Sequence, residues 1–354
     1  MDAHRTTVGH GRRIAALFNG RAKQVTPGVV RALTDALPEA QVFVSDDLLQ
    51  AERHAKLIAG SDAEVVLSGG GDGAAMRLIR MLRAQIGSAR AHPALGILKL
   101  GTGNAWAHTT GACGYRRLFQ LLPRMPWPLP LRRFDLVTVE GWEAPFAGVG
   151  WDALILNNYQ RNLDKRSSQI FGSRLATRLH KGLGGYLYSA VRYTVPKEWR
   201  LTHEHGAARV TLEVPSNEPL YTVDPHGIVV QLAWRSPLYE GPVSVGAAAT
   251  IPEYGYGLRA FPFATRLPGF INLRVYDRAV LEALGNLPRI WRGDHPVPGM
   301  HDFFVKRARM RFSRPMPFQI GGDASGQRTE VEYGVAKEPV NCVDWEAALA
   351  EARR

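Results

Sequence analysis

Four glycines and one aspartate, Gly69-Gly70-Gly71-Asp72-Gly73, separate two patterned stretches. Before them, Glu64–Ser68 (EVVLS) reads as a buried strand; after them, Ala75, Leu78, Ile79, Leu82 and Ile86 recur at near-helical spacing. A strand that ends in a glycine-rich turn and opens a helix makes a phosphate site. Backbone N–H groups are exposed, no Cβ blocks close approach, and the helix N-terminus favours negative charge. Asp72 would repel a phosphate unless it holds a metal, accepts a proton or bonds the turn itself. The bland reading is a tight structural turn, and one Gly-Gly-x-Gly does not decide between them.

The elements that must carry this turn alternate along the first third of the chain. Arg13–Asn19 (RIAALFN) reads as a strand running into Gly20-Arg21-Ala22-Lys23. Thr26 and Pro27 have the character of an N-cap and a first helical residue, followed by the stripe Val29, Val30, Leu33, Leu37. Gln41–Ser45 (QVFVS) is a second strand. Asp46–Ala59 is a second helix, opened by two aspartates and closed by Gly60. Ala94–Leu100 is a fourth strand and ends in Gly101-Thr102-Gly103-Asn104. Strands alternating with helices predict an α/β domain with a doubly wound, mostly parallel sheet. Such sheets bind ligands beyond the strand C-termini. Asn19–Lys23, Gly69–Gly73 and Gly101–Asn104 all fall at that edge.

The pattern changes after Arg116. Leu122–Pro130 holds four prolines in nine residues and reads as a domain edge. Beyond it short strands are expected at Arg133–Glu140, Pro145–Gly150, Ala208–Val214, Ile228–Trp234, Ile271–Tyr276, Phe303–Phe312 and Arg328–Tyr333, with one helical island at Gln169–Thr194. The expectation is an antiparallel β-sandwich over 133–335 after an α/β domain over 12–132, to which residues 336–352 return.

Composition bounds the function. Apolar content of 45% and charged content of 21% are globular values. No apolar run reaches the ~18 residues of a membrane span, and residues 1–13 lack the apolar core of a secretory signal. Cys113 and Cys342 form no disulfide framework and no zinc spacing. The net charge, 44 − 32 = +12, attracts nucleic acid, anionic membrane or anionic small molecules. A cytoplasmic protein is expected.

The ordered set Asn19-Gly20, Gly70-Gly71-Asp72-Gly73 and Leu98-Lys99-Leu100-Gly101-Thr102-Gly103-Asn104 resembles the nucleotide-binding domain of the diacylglycerol kinase catalytic superfamily, which includes bacterial lipid kinases and the sphingosine and ceramide kinases. Gly148-Val149-Gly150-Trp151-Asp152-Ala153 is similar to the motif opening that family's second domain. Lys181–Tyr193 is similar to its Lys-x-x-x-Gly-x-x-x-Tyr helix, and Gly322-Asp323 stands where it has Asp-Gly-Glu. The resemblance implies a cleft between two domains in which the γ-phosphoryl of ATP passes, with Mg²⁺, to a lipid hydroxyl. It implies nucleotide contacts from Asn19, Ser45, Gly70, Gly71, Asp72, Gly73, Thr102 and Asn104. Asp72 would be the metal-side carboxylate and Asp323 the general base. Peripheral contact with anionic lipid at the inner membrane face is a further expectation; an oligomer is compatible with all of this.

The chain also departs from the family. Ala74, Met76 and Arg77 stand where Thr, Asn and Glu are usual, and Ala105 where an Asp follows the Asn. Gly321 replaces the Asp of Asp-Gly-Glu. Tyr256-Gly257 replaces an Asp-Gly that helps hold a structural Mg²⁺. Two alternatives follow: a nucleotide-binding protein with weak or no catalysis, or a kinase of a soluble hydroxyl, since NAD kinases and phosphofructokinases share the Gly-Gly-Asp-Gly turn. Arg307, Arg309 and Arg311 alternate with Ala308, Met310 and Phe312, which is either a phosphate-binding face or, more simply, a solvated one. Arg161, Lys165, Arg166, Arg174, Arg178 and Lys181, near Phe171, Tyr186, Tyr188 and Trp199, suit an anionic membrane. His203-Glu204-His205 lacks a third metal ligand and reads as a loop. No nucleic-acid fold, Walker loop or Gly-x-Ser-x-Gly elbow is present, so nucleic acid is not an expected partner.

Overall fold

The computed structural model describes residues 13–87, 90–151, 153–154, 192 and 195–353. The expected island at Gln169–Thr194, the Lys181–Tyr193 motif, Asp152, and Arg161 to Lys181 with Phe171, Tyr186 and Tyr188 lie outside these residues. The chain divides into two compact units. One comprises the described residues up to Gly101, Thr110–Arg132 and the chain from Asn341 on; the other comprises Thr102–Thr109 and the described part of Arg133–Val340.

The first unit is built on a six-stranded sheet. Its strands are β1 (Ile14–Asn19), β2 (Gln41–Ser45), β3 (Val65–Gly69), β4 (Ala94–Ile97), β5 (Leu131–Phe134) and β18 (Val340–Val343), in the order β2-β1-β3-β4-β18-β5. The pairings β1–β2, β1–β3, β3–β4 and β4–β18 are parallel. All five β3 residues are buried, as a parallel strand covered on both sides requires.

The helices α1 (Pro27–Ala36), α2 (Leu48–Gly60) and α3 (Asp72–Ile86) follow their expected signals. Thr26 Oγ1 accepts from Val29 N–H, and Asp47 Oδ1 accepts from Gln50 N–H at 2.8 Å. α2 packs on α3, and α1 on α5 (Tyr115–Leu121). The C-terminal segment adds β18 beside β4 and ends in α8 (Trp345–Glu351), whose Trp345 is fully buried and donates from Nε1 to Ile97 O at 3.0 Å. A Cβ at Gly96 would meet that indole at 3.0 Å, so the glycine makes room for it. Both cysteines are free, and burial raises the thiol pKa of each.

Among the described residues the second unit is a single antiparallel sheet of twelve strands. Its centre is β8 (Phe146–Gly150), β13 (Val245–Ala249), β14 (Ile271–Tyr276), β15 (Met300–Val305) and the long hairpin β16 (Arg307–Ile320) and β17 (Asp323–Val335). Toward its edges lie β6 (Val137–Val139), β7 (Trp142–Ala144), β10 (Tyr221–Val223) and β11 (Val229–Gln231). The overall order is β11-β10-β15-β14-β13-β8-β16-β17-β6-β7, with β9 (Arg209–Glu213) and β12 (Tyr239–Pro242) paired to its side. The single strand expected at Phe303–Phe312 is broken at Lys306, where β15 ends and β16 begins.

Two helices in this unit also differ from expectation. α6 (Val195–His205) contains His203-Glu204-His205, which is therefore helical rather than a loop; adjacent residues on a helix do not face one way. α7 (Val280–Arg292) forms despite Gly285 and Pro288. Inside the sheet Arg274 and Asp302 make a bidentate pair, Nε–Oδ1 2.7 Å and Nη2–Oδ2 2.9 Å. Their side chains are 5% and 1% exposed.

Candidate functional site

In the first unit the strand order itself marks a place. The chain moves from β1 outward to β2, then back across β1 to β3 and β4. The crevice beyond the C-termini of β1 and β3 is such a reversal point, where open α/β sheets bind ligands. Asn19 ends β1, Ser45 ends β2 and Gly69 ends β3.

A pocket of about 400 Å³ lies there, between α2 and α3. The polar groups Asn19, Ser45 and Ser68 line it from the strands, and Arg21, Asp46 and Asp47 from the loops. Leu48, Ala51, Leu78 and Met81 supply apolar wall, and Arg77 reaches it from α3. Apolar walls with a few convergent polar groups are what a small-molecule pocket needs. Ser45 is 4% exposed, and its Oγ lies 2.9 Å from His54 Nδ1. Asn19 Oδ1 accepts from Arg21 N–H at 3.1 Å and holds the turn after β1.

The glycine turn sits beside this pocket, as the sequence anticipates. Gly71 is the N-cap of α3, with φ −96° and ψ −176°, and Asp72 and Gly73 form its first turn. Gly71 O accepts from Ala74 N–H at 3.0 Å and from Ala75 N–H at 3.2 Å. The first N–H groups of a helix have no partner within it, so they face whatever binds at its end. The glycines differ in role. A Cβ at Gly70 would lie 2.7 Å from the Ala74 methyl, and one at Gly69 would strike the Phe18 ring. A Cβ at Gly71 would meet only Gly101 Cα, at 3.4 Å, an ordinary contact. Gly70 thus serves packing, whereas Gly71 leaves open space. The same contact places the turn after β3 against the exit of β4.

The remaining expected residues belong to the second unit. Thr102 is exposed. Asn104 is 8% exposed and has φ 53°, a left-handed conformation that asparagine tolerates better than most residues. Its carbonyl accepts from His108 N–H at 2.9 Å and so opens α4 (Ala105–Thr109). Asp323 is exposed at the start of β17, paired across the hairpin with Ile320. Gly321 and Gly322, with φ 57° and 89°, form the two-residue turn before it; two positive values are the signature of the tightest hairpin type. Gln319, fully buried, accepts from Gly322 N–H at 2.8 Å and donates to the Tyr254 hydroxyl.

The residues suit one role of Mg²⁺ and not another. An ion carried on nucleotide phosphates needs only one or two protein carboxylates, which Asp72 can supply. A separate structural ion near 256–257 does not fit. Ala105 is a buried methyl group and Tyr256 carries no carboxylate. The two segments are instead joined directly: Tyr256 N–H donates to Gly103 O at 3.0 Å, and His108 Nδ1 lies 3.1 Å from Glu253 Oε2. Among the described residues no group of three or more His, Cys, Asp or Glu is placed to hold a metal.

The arginine face of β16 takes the simpler of its two readings. Arg311 pairs with Glu330 at 2.8 Å and Glu213 at 3.0 Å, Arg309 with Glu332 at 3.2 Å. Ala308, Met310 and Phe312 are buried on the other side. A face whose cations are answered by neighbouring carboxylates has little charge left for a phosphate.

Comparison with known proteins agrees with the motifs. The family model of the diacylglycerol kinase catalytic domain matches residues 16–117. The likeness read from the three turns therefore holds over the stretch that contains them. No curated protein matches the chain in sequence. A diacylglycerol kinase from Bacillus anthracis str. Sterne aligns with a TM-score of 0.58 at 15% identity, covering 94% of this chain and 96% of that one. A second structure from the same organism gives 0.60 at 15%, covering 95% and 98%. At such identity the likeness shows the fold: an α/β unit of the diacylglycerol kinase type followed by an antiparallel β unit.

Sequence reasoning placed Asn19 and Ser45 together but missed His54, Arg77 and Met81. These become pocket neighbours only once α2 and α3 lie side by side. The histidine nine residues after Ser45 carried no signal of its own.

Proposed function

We propose that the protein is an ATP-dependent kinase that transfers the γ-phosphoryl group to a hydroxyl of a lipid, of the diacylglycerol or sphingoid class. The observation that carries this reading is the pocket at the reversal point of the sheet, lined by Asn19, Ser45 and Ala74 at the head of α3, which Gly71 caps. The family match over residues 16–117 supports it.

The apolar wall of Leu48, Ala51, Leu78 and Met81 suits a nucleobase, and the positive N-terminal end of α3 suits phosphates. Thr102 and Asn104 add side-chain hydrogen bonds to the phosphates. Asp72 would hold the Mg²⁺ that arrives with the nucleotide, and the ion would supply neutralisation of phosphate charge. The acceptor hydroxyl oxygen forms a bond to Pγ as the bond from Pγ to the β,γ-bridging oxygen breaks. The hydroxyl proton passes to the Asp323 carboxylate, and ADP keeps the bond electrons. Phosphoryl transfer is mainly positioning and charge neutralisation, so this chain's backbone does most of the work.

The charge of +12 draws the protein to anionic lipid, at the inner face of a cytoplasmic membrane. Among the described residues no helix is long and apolar enough to cross a bilayer. Ala105, Tyr256 and Gly321, where the family has acidic groups or their partners, favour a second reading: a nucleotide-binding protein with little catalysis. Incubation with γ-labelled ATP, Mg²⁺ and a panel of lipids and soluble alcohols separates them. Labelled lipid is the expected product. Label on a soluble alcohol alone would move the acceptor class, and ATP binding without any product would establish the second reading.

A further inference from the structure

We propose that His54 is a positioning residue of the nucleotide pocket: through the Ser45 hydroxyl it sets whether the end of β2 offers the ligand a hydrogen-bond donor or only an acceptor. The proposal rests on the reading of this pocket as the nucleotide site.

The geometry is specific. Ser45 is 4% exposed, lines the pocket, and has its Oγ 2.9 Å from His54 Nδ1. The His54 ring is held against Phe43, centroids 5.0 Å apart and planes at 31°. A hydroxyl has one proton to give. When Nδ1 is bare, that proton is spent on the imidazole, and Ser45 turns only lone pairs toward the pocket. When Nδ1 carries a proton, the imidazolium donates to Oγ, and the hydroxyl proton is released to the pocket. Ionised phosphate oxygens only accept, so they bind better to the second state.

The other charged groups around α2 do not substitute for this relay. Asp47 is committed to capping the helix, and Asp46 lines the pocket from the loop after β2, with its carboxylate beside Gly20. Glu52, Arg53 and Lys56 are exposed on α2 itself. α3, packed against α2, brings Arg77, Arg80 and Arg83, while β1 and β2 contribute no charge. Most of these are cations at any pH near neutrality. Only a histidine changes state in that range among ordinary side chains.

The test is ADP affinity from pH 5.5 to 8 for the wild type, His54→Gln, Ser45→Ala and Ser45→Thr. The titration of the ADP phosphates is common to all four and cancels in ratios to His54→Gln. Relative to that variant, wild-type affinity is expected to rise about five- to tenfold toward pH 5.5, the size of one gained hydrogen bond. Ser45→Thr, which keeps the hydroxyl, should retain the rise and Ser45→Ala should lose it. A flat ratio with measurable ADP binding overturns the role of His54 and leaves the nucleotide site standing. No nucleotide binding by the folded wild type at any pH overturns both. Ring ¹⁵N shifts of His54 in the unliganded wild type give a check that needs no variant. The relay requires a state in which Nδ1 is bare and another in which it carries a proton; a proton on Nδ1 throughout would refute it.

Discussion

Replacing Gly71 by Val separates ligand chemistry from folding at the turn. The backbone there is extended, φ −96° and ψ −176°, which any residue adopts. A Cβ has only Gly101 Cα within reach, at 3.4 Å, so the Cβ itself is accommodated. Its branches then occupy the space that phosphates need to approach the first amides of α3. Each lost hydrogen bond to a charged oxygen costs about 1.5–3 kcal/mol. Loss of two raises the ATP dissociation constant by about 10²–10⁴-fold, at ~1.4 kcal/mol per decade. The cost to folding is that of a poorer N-cap, about 1 kcal/mol or less, and a shift in melting temperature of a few degrees. The assay is calorimetric titration with ATP and Mg²⁺, paired with a thermal melt. Gly70→Ala is the contrasting control, because its Cβ would sit 2.7 Å from the Ala74 methyl and should destabilise the fold. If folded Gly71→Val binds ATP as tightly as the wild type, the phosphates do not sit on this turn.

Three further outcomes follow from named contacts. Asp323→Asn keeps size and removes basicity, and should lower turnover of labelled ATP by ~10²-fold or more; undiminished activity would remove Asp323 from the mechanism. Flotation with vesicles should show binding to anionic lipid that fades at high salt, whereas equal binding to neutral vesicles at any salt would argue against an electrostatic origin. Asp302→Asn breaks a pair whose side chains are 5% and 1% exposed, leaving Arg274 buried and unanswered. A loss of about 3–5 kcal/mol is expected, read as a fall of roughly 6–20 °C in melting temperature; a change within a degree or two would mean the pair adds little.

The first unit was legible because its signals are local. Thr26 caps α1, Asp47 caps α2, and the apolar runs of β1 to β4 are bounded by glycine and polar turns. The second unit was harder to read for physical reasons. β13 is VGAAA, too small in side chain to look like a strand. It exists because its neighbours demand small residues: a Cβ at Gly246 would meet the Met310 side chain, and one at Gly148 the Ala247 methyl. α7 carries Gly285 and Pro288, which hide its period. The β16–β17 hairpin looked like shorter strands because Pro315 and Pro317 interrupt it and its register shifts between Arg311 and Met316. Short motifs pointed to Asn19 and Ser45, which line the pocket, and to the glycine turn that opens α3. Partners set by helix packing, Arg77, Met81 and His54, left no trace in the spacing.

The central claim is that nucleotide binds at the head of α3, and titration of the wild-type protein with ATP in the presence of Mg²⁺ tests it most directly. The account predicts saturable one-to-one binding in the micromolar to millimolar range usual for such substrates, with chemical-shift changes at Asn19, Ser45 and Gly71–Gly73. Absence of binding by the folded protein, or binding whose shifts fall elsewhere, would contradict it.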